Sequence, residues 1–366
     1  MLDGLRGIAI LLVVWYHLSL VSGYTPEPGM LAMFARNGYL GVDLFFFISG
    51  FCIAYPYARA RLEGRRPPTL HEFVRRRALK IVPSYVLALL VFAVVYRARF
   101  DSLPVEAAHL VAHLAFVHVW FRETFGSFSG PLWTLGVEVQ FYALFALVAP
   151  SVERRPALVY AAFVGIAAGY RGALAVFGLD TDFGWVNQLP AVLDIFGAGM
   201  LASFAFVAVR RRGAGPSAGF ATGCAAFALL AIVAGFALVD AVARGSGDDG
   251  VRQWLNSWRI AFGPVLFIAT LGIALGIPAL RSVCASRILA WLSLVSYNAY
   301  LWNLEIAVGL HSAGLPPWAT FWLGAAGTAG VAALTTYFVE RPLQRMGFSA
   351  TFGRFVRTVS PVPVRP

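Results

Sequence analysis

Apolar residues in this chain come in long runs separated by short polar loops. Most runs approach the ~17–25 residues that a helix needs to span a bilayer. The pattern predicts eleven such segments, at 7–24, 38–57, 82–96, 106–120, 131–150, 157–177, 187–208, 217–242, 258–277, 287–310 and 315–339. The segments 82–96 and 106–120 are short and could be tilted or re-entrant. We therefore expect an all-α fold, a polytopic integral membrane bundle of about ten to eleven transmembrane segments.

Composition supports a membrane location. Hydrophobic residues fill 59% of the 366 positions and the mean hydropathy is +0.72. Charged residues make up only 13%, against about 25% in soluble domains. We expect one transmembrane domain over 1–345, followed by a polar, disordered cytoplasmic tail over 346–366.

The first apolar run contains two ionisable residues. Arg6 and His17 are eleven residues apart, so they fall on nearly the same helix face, separated by a rise of roughly 16 Å. An ionisable side chain at bilayer depth is costly and points to a functional site. The alternative is that His17 only hydrogen-bonds a neighbouring helix.

A carboxylate stands at the start of the second run. Asp43 opens an aromatic-rich stretch that ends in Ser49-Gly50. Such a carboxylate must face a cavity, a cation or the lipid headgroups, while the serine and glycine let another backbone approach closely. The alternative is a packing motif with a surface aspartate.

A second carboxylate expected to be buried, Glu138, lies in the run 131–150 together with other polar residues. Thr134 and Tyr142 share its helix face at a spacing of four, and Trp133 precedes them. A carboxylate placed there can orient an imidazole, accept a hydroxyl proton or hold a sugar hydroxyl. A structural salt bridge is the competing interpretation.

Positive charge is concentrated in two short segments, 59–80 and 210–212. The positive-inside rule places both in the cytoplasm, and this distribution argues against nucleic acid as the partner of the +11 net charge. Counting the predicted spans forward from the first segment puts the second one outside. One of the eleven segments is therefore not a full crossing, and we predict that it is 82–96.

Within the first basic segment, Arg76, Arg77 and Lys80 place several cations on one helix face. Arginine gives planar, bidentate contacts to phosphate and lysine gives a point charge. A phosphate-bearing ligand and simple topology signalling both fit these residues.

The remaining motif search is negative. The three cysteines, Cys52, Cys224 and Cys284, have no paired spacing, so we expect neither a disulfide framework nor a metal site. The sequence has no Walker loop and no Rossmann glycine fingerprint. Any chemistry must therefore take place within the bundle or at its mouths.

Taken together, the polar segments resemble the membrane-bound acyltransferase 3 family. The opening LDGLRGIA with His17 is similar to the family's signature of an arginine, ten residues and a histidine. The other landmarks follow in the family's order up to residue 342: GVDLFFFISGF, RRRALKIVP, PLWTLGVEVQFY, SYNAYLWN and FVERP. Six motifs in this order are specific for the family, but they give almost no information about the substrate.

Three positions depart from the family pattern. Asn303 stands where the family frequently has a histidine. Val139 replaces a second glutamate, so only Glu138 carries that role over, and Lys80 replaces a frequent arginine.

The resemblance implies transfer of an acyl group, most simply acetyl, from acyl-CoA to a hydroxyl of a carbohydrate, glycolipid or glycosylated metabolite. Acyl-CoA is then a donor substrate, no cofactor is bound permanently, and we expect a multi-pass protein of the bacterial inner membrane. The expected catalytic residues are His17 as general base with Glu138 or Asp43 fixing its tautomer. The expected acyl-CoA phosphate ligands are Arg6, Arg76, Arg77 and Lys80. The candidates for acceptor or oxyanion contacts are Ser49, Trp133, Tyr142 and Asn303.

Two other functions remain open. A proton-coupled transporter of a polar small molecule also buries histidine and carboxylates among broken helices, although the sequence shows no convincing internal repeat. A non-catalytic sensor that kept the fold is the second alternative.

Overall fold

All secondary structure that the computed structural model describes, over residues 1–25, 29–212 and 217–345, is helical. The predicted tail 346–366 lies outside the described residues. The helices, α1 to α14 in chain order, are Leu2–Ser22, Met30–Arg36, Gly41–Glu63, Leu70–Val95, Leu103–Leu114, Trp133–Arg154, Pro156–Val176, Phe183–Val186, Leu189–Arg212, Ala218–Trp258, Phe262–Leu275, Pro278–Cys284, Arg287–Ser312 and Pro317–Thr335. A π-helical turn, Thr336–Glu340, continues α14.

The fourth helix begins earlier than the hydropathy pattern indicates. The side chain of Thr69 accepts a hydrogen bond from the backbone N–H of Glu72, and the Glu72 carboxylate accepts one from the backbone N–H of Thr69. This reciprocal capping box starts α4 at Leu70. The basic motif with Arg76, Arg77 and Lys80 therefore lies on the first turns of a helix.

The prediction that 82–96 is not a crossing is wrong. That segment is the second half of α4, a 26-residue helix with the length and apolarity of a membrane span. The segment 106–120 instead contains the end of α5, which has only 12 residues and a length of about 18 Å, too short for the hydrocarbon core. Arg97 pairs with Glu106 beside it, in a connection between α4 and α6 that carries several charges.

Eight helical stretches in the described ranges could cross a membrane, or nine if α12 and α13 form one bent span. One stretch, Gly219–Leu275, contains both α10 and α11. They run antiparallel, because Gly276 at the end of α11 packs on Ala221 near the start of α10. This arrangement is compatible with the ten to eleven crossings predicted.

The corrected topology removes the charge conflict. Four spans, α4, α6, α7 and α9, now separate the two basic segments. An even number of crossings places both segments on the same side, which the positive-inside rule assigns to the cytoplasm. We call the opposite face the outer face.

The centre of the bundle is held by close contact between α3 and α9. A Cβ built on Gly50 would lie 2.0 Å from the backbone oxygen of Phe196, and one on Gly199 would lie 1.9 Å from that of Phe47. Only glycine permits this approach. The close backbone contact expected at Ser49-Gly50 is confirmed.

Candidate active site

Within the described residues, the imidazole of His17 makes one hydrogen bond. Its Nδ1 lies 2.6 Å from Oδ1 of Asn303 on α13. The Asn303 amide nitrogen donates to the backbone oxygens of Ala299 and Tyr300, both at 2.9 Å. Because the amide NH₂ is engaged there, its oxygen must face the imidazole and accept from Nδ1–H. The tautomer is thereby set, and the Nε2 of half-buried His17 keeps its lone pair.

Glu138 is the centre of a second cluster. Its Oε1 accepts hydrogen bonds from Ser49 Oγ at 2.7 Å and from the Tyr142 hydroxyl at 2.5 Å. The guanidinium of Arg77 lies 5.1 Å from the centre of the Tyr142 ring. The helices α3, α4 and α6 thus meet at one carboxylate, and the side chain of Glu138 itself remains half-buried.

We expected a carboxylate beside His17, and the structure places the Asn303 amide there instead. Among the described residues, no hydrogen bond links His17 to Glu138 or to Asp43. A neutral amide fixes the tautomer as a carboxylate would, but it provides less stabilisation for a positively charged imidazolium.

Asp43 belongs to a separate buried network. Its Oδ1 lies 3.1 Å from Nε of Arg259, and both side chains are almost fully buried. Next to this pair, Arg171 makes a bidentate contact with Asp194 at 2.8 Å to each oxygen. Buried charges are tolerated when they are paired in this way. The geometry therefore favours a structural ion pair for Asp43 over contact with the imidazole.

The four predicted phosphate ligands differ in how far they are engaged. Lys80 forms an ion pair with Glu340, whose second carboxylate oxygen accepts from the amide of Asn298 at 3.0 Å. Arg77 lies over Tyr142, as described above. Arg76 is exposed, and Arg6 has no hydrogen bond or ion pair within the described ranges. Arg6 and Arg76 are therefore the cations most accessible to an incoming phosphate.

Trp133 lies at the boundary of the site. Its ring contacts Phe46 of α3 at 6.1 Å between centroids. On its other side it packs against Phe125 at 6.2 Å and Phe183 at 5.9 Å. The next residue of α6, Thr134, donates a hydrogen bond to the Tyr300 hydroxyl at 2.9 Å. Trp133 therefore forms a wall between the bundle interior and the outer loops.

Two further histidines lie in the connection between α4 and α6, outside the spans. The rings of His113 and His118 stack with centroids 3.9 Å apart, and each Nε2 lies within hydrogen-bond distance of a backbone oxygen. Burial lowers the pKa of His113 to about 2, with His118 contributing, and lowers the pKa of His118 to about 4. Both rings are therefore neutral at pH 7 and brace this connection.

Sequence reasoning missed several buried polar residues. Arg171, Asp194 and Arg259 form the Asp43 network, and Glu340 and Asn298 hold Lys80. The signal that identified His17, a charged residue inside an apolar run, also marks Arg171 and Asp194. Within the described ranges, no group of three His, Cys, Asp or Glu side chains could hold a metal ion.

The acyltransferase domain profile of the acyltransferase 3 family matches residues 1–340. This chain belongs to the acyltransferase 3 family. The resemblance drawn from its ordered motifs is confirmed.

Bacterial relatives of this acyltransferase 3 chain include proteins of cell-surface glycan metabolism. The exopolysaccharide production protein ExoZ of Rhizobium meliloti is 30% identical over 329 residues, which cover 85% of this chain and 90% of ExoZ. The peptidoglycan O-acetyltransferase OatA of Listeria monocytogenes is 25% identical over 381 residues, 97% of this chain and 57% of OatA. The O-acetyltransferase OatA of Staphylococcus aureus is 25% identical over 98% of this chain and 60% of its own length. The chain thus spans less than two thirds of both OatA proteins, and no solved structure matches it significantly.

Membership in the acyltransferase 3 family gives the departure at Asn303 a structural meaning. The position at which the family often has a histidine is the one that contacts His17 in this chain. The substitution therefore changes the partner of the imidazole and leaves the imidazole itself in place.

Proposed function

We propose that this chain is a membrane-bound O-acyltransferase that moves an acyl group, most simply acetyl, from acyl-CoA to a hydroxyl of a carbohydrate or glycosylated acceptor. The observation that carries the proposal is the His17–Asn303 contact, which leaves a free imidazole nitrogen inside the bundle. Family membership supplies the reaction class, and the names of OatA and ExoZ support a glycan acceptor.

The reaction needs one base that later acts as an acid. The Nε2 of His17 takes the proton from the acceptor hydroxyl while that oxygen attacks the thioester carbonyl. The carbon–sulfur bond then breaks, and the imidazolium returns the proton to the CoA thiolate. Asn303 acts as a positioning residue, because its Oδ1 accepts from Nδ1–H throughout and stabilises the imidazolium.

The donor and the acceptor approach from opposite faces in this proposal. Arg6 and His17 lie in one unbroken helix, α1, with a rise of roughly 16 Å between them. Arg6 and Arg76, with Arg77 and Lys80 deeper in the bundle, hold the phosphates of CoA at the cytoplasmic end. His17 lies five residues before the end of α1, near the outer face, where a glycan would arrive.

The tetrahedral intermediate needs a hydrogen-bond donor for its oxyanion. Ser49 and Tyr142 both donate to Glu138, and the Asn303 amide donates to backbone oxygens. One hydroxyl must therefore turn from Glu138 to the substrate during the reaction. We assign Glu138 the role of holding Ser49 and Tyr142 ready for that change, with Trp133 closing the acceptor side.

The test is CoA release by the full chain purified in detergent, with acetyl-CoA and pooled bacterial glycans. We expect acceptor-dependent release that falls about 10²- to 10⁴-fold in His17→Ala, the usual contribution of a general base. His311→Ala is the matched control, because His311 is an exposed histidine at the end of α13. Release that is equal in both variants contradicts the proposal, and substrate movement without CoA dependence indicates a transporter.

A further inference from the structure

A large cleft opens on the outer face beside Trp133. Its volume is ≈ 1150 Å³. Its walls are the loop 119–126, the connection 178–190 between α7 and α9, and the end of α10 at Arg252. We call it the outer cleft. None of the residues assigned to the reaction above lines it.

The aromatic rings of the outer cleft are unusually open. Trp120 is 59% exposed and Trp185 is 49% exposed, and neither ring stacks on another ring within the described residues. Phe183 is also exposed and contacts Trp133 edge-on at 5.9 Å. Open indole faces in a concave site offer rigid apolar platforms for a flat ligand.

Polar side chains line the same cleft as these aromatic rings. The guanidinium of Arg122 has no hydrogen bond or ion pair in the described part of the chain, and Gln140 makes only one long contact, 3.5 Å, to a backbone oxygen. Oδ1 of Asp182 caps α8, and Arg252 is bonded to Asp249 at 2.8 Å. Arg122 and the remaining N–H of the Gln140 amide are therefore available as donors in the cleft.

We propose that the outer cleft binds a carbohydrate chain. A sugar ring presents a face of C–H groups, which pack on an indole, and an edge of hydroxyls, which pair with amide and guanidinium donors. Both kinds of surface line this cleft. Among the described residues that line the cleft, Arg122 and Asp182 have no ion-pair partner, so the cleft offers both a guanidinium and a carboxylate to the hydroxyls of a glycan.

The position of the cleft connects it to the reaction site. Phe125 and Phe183 line the cleft, and both contact Trp133, which lies five residues before Glu138 on α6. The cleft is also on the face opposite to the basic segments assigned to the donor. A glycan held there has one end next to the wall of the site. This step, identifying the bound glycan with the acceptor, rests on the proposed function, whereas carbohydrate binding itself does not.

An alternative explanation for exposed tryptophans is an interfacial belt that anchors the bundle in the headgroup region. The chain offers a matched control for this. Trp120 and Phe121 are neighbours in the same loop with similar exposure, 59% and 52%, but only Trp120 lines the cleft. If the cleft binds a carbohydrate, replacing Trp120 by alanine weakens the binding, whereas the same replacement of Phe121 does not.

The experiment measures binding of the detergent-purified His17→Ala chain to an array of bacterial envelope oligosaccharides, peptidoglycan and exopolysaccharide fragments, without acetyl-CoA. We expect binding to at least one oligosaccharide class, reduced at least about tenfold by Trp120→Ala with Trp185→Ala and unchanged by Phe121→Ala. Absence of binding to every carbohydrate overturns the inference, as does equal binding by the cleft variant and its parent. If binding behaves as expected while the unmodified chain transfers no acyl group, the proposed function fails and the carbohydrate site stands.

Discussion

Replacing Asn303 by leucine tests the central contact of the site. The change removes the oxygen that accepts from His17 Nδ1 at 2.6 Å and keeps a side chain of similar size. In the proposed reaction, Asn303 accepts this hydrogen bond from a neutral imidazole in the ground state. In the transition state it accepts the bond from an imidazolium. A hydrogen bond to a charged group contributes about 1.5–3 kcal/mol, compared with about 1 kcal/mol for a neutral pair.

The expected effect follows from that difference. The net loss in the transition state is the difference between these two values, about 0.5–2 kcal/mol, which lowers kcat about 2- to 30-fold, while the KM values for both substrates change little. In Asn303→Asp the carboxylate stabilises the protonated imidazole, so the acid limb of the pH–rate curve moves to higher pH. A purely structural role for Asn303 predicts no such movement.

The assay is CoA release at saturating acetyl-CoA and glycan, with kcat and KM determined separately. Asn256→Leu is the control, because Asn256 is also buried and donates to a backbone oxygen away from His17. A wild-type kcat in Asn303→Leu, or equal losses in both variants, refutes the reasoning.

The remaining predictions concern stability, pH and the donor. Gly199→Ala forces a Cβ to within 1.9 Å of a backbone oxygen of α3 and should cost about 1–3 kcal/mol or more. It should lower the Tm in detergent, whereas Gly165→Ala, which meets nothing within 4 Å, should not; equal Tm values contradict the packing. The pKa values of about 2 for His113 and about 4 for His118 lie below the usual 6.5. Between pH 7 and 5 the unfolded chain therefore binds more protons at these two histidines than the folded chain does. Stability should then fall by up to about 2 kcal/mol per histidine over that range, and a double glutamine variant whose Tm varies with pH as steeply as the wild type contradicts this. Arg77→Gln should raise the KM for acetyl-CoA about tenfold with little change in the acceptor KM, and an unchanged donor KM contradicts its assignment to phosphate.

The sequence predicted the class of fold and most of the spans, because a bilayer imposes a length and an apolar composition on each crossing. It assigned the one apolar segment that does not cross the membrane to 82–96, whereas the structure shows that the short helix α5 is that segment. The hydropathy pattern detects the apolar part of α4, whereas the helix starts at Leu70, directly after its capping residue Thr69 and twelve residues before that segment. The apolar turns of α5 lack this extension, and only the length of the folded helix shows that they cannot cross.

The candidate site could also be predicted only in part from the sequence. His17 and Glu138 could be found because a charged group inside an apolar run is costly without a purpose. Tyr142 could be found as a neighbour of Glu138 from its spacing of four. The partner of His17 could not, because His17 and Asn303 are 286 positions apart and the pairing depends on how α1 packs on α13. For Asp43 the sequence left a cavity, a cation and the headgroups open, and the folded chain places the cation Arg259 beside it.

The packing of α1 on α13 also links the two ends of the proposed reaction. On α13, Asn298 bonds Glu340, the ion-pair partner of Lys80, while Asn303 bonds His17, with a rise of about 7.5 Å between the two asparagines. On α1, Gly7 lies so close to α13 that an added Cβ would be 2.7 Å from a backbone oxygen of Leu289. A close-packed pair of this kind moves as a unit or changes its register by a discrete step. If the pair moves as a unit, the proposed donor-side cations and the proposed base keep a fixed separation, and the thioester end of acyl-CoA has to reach His17.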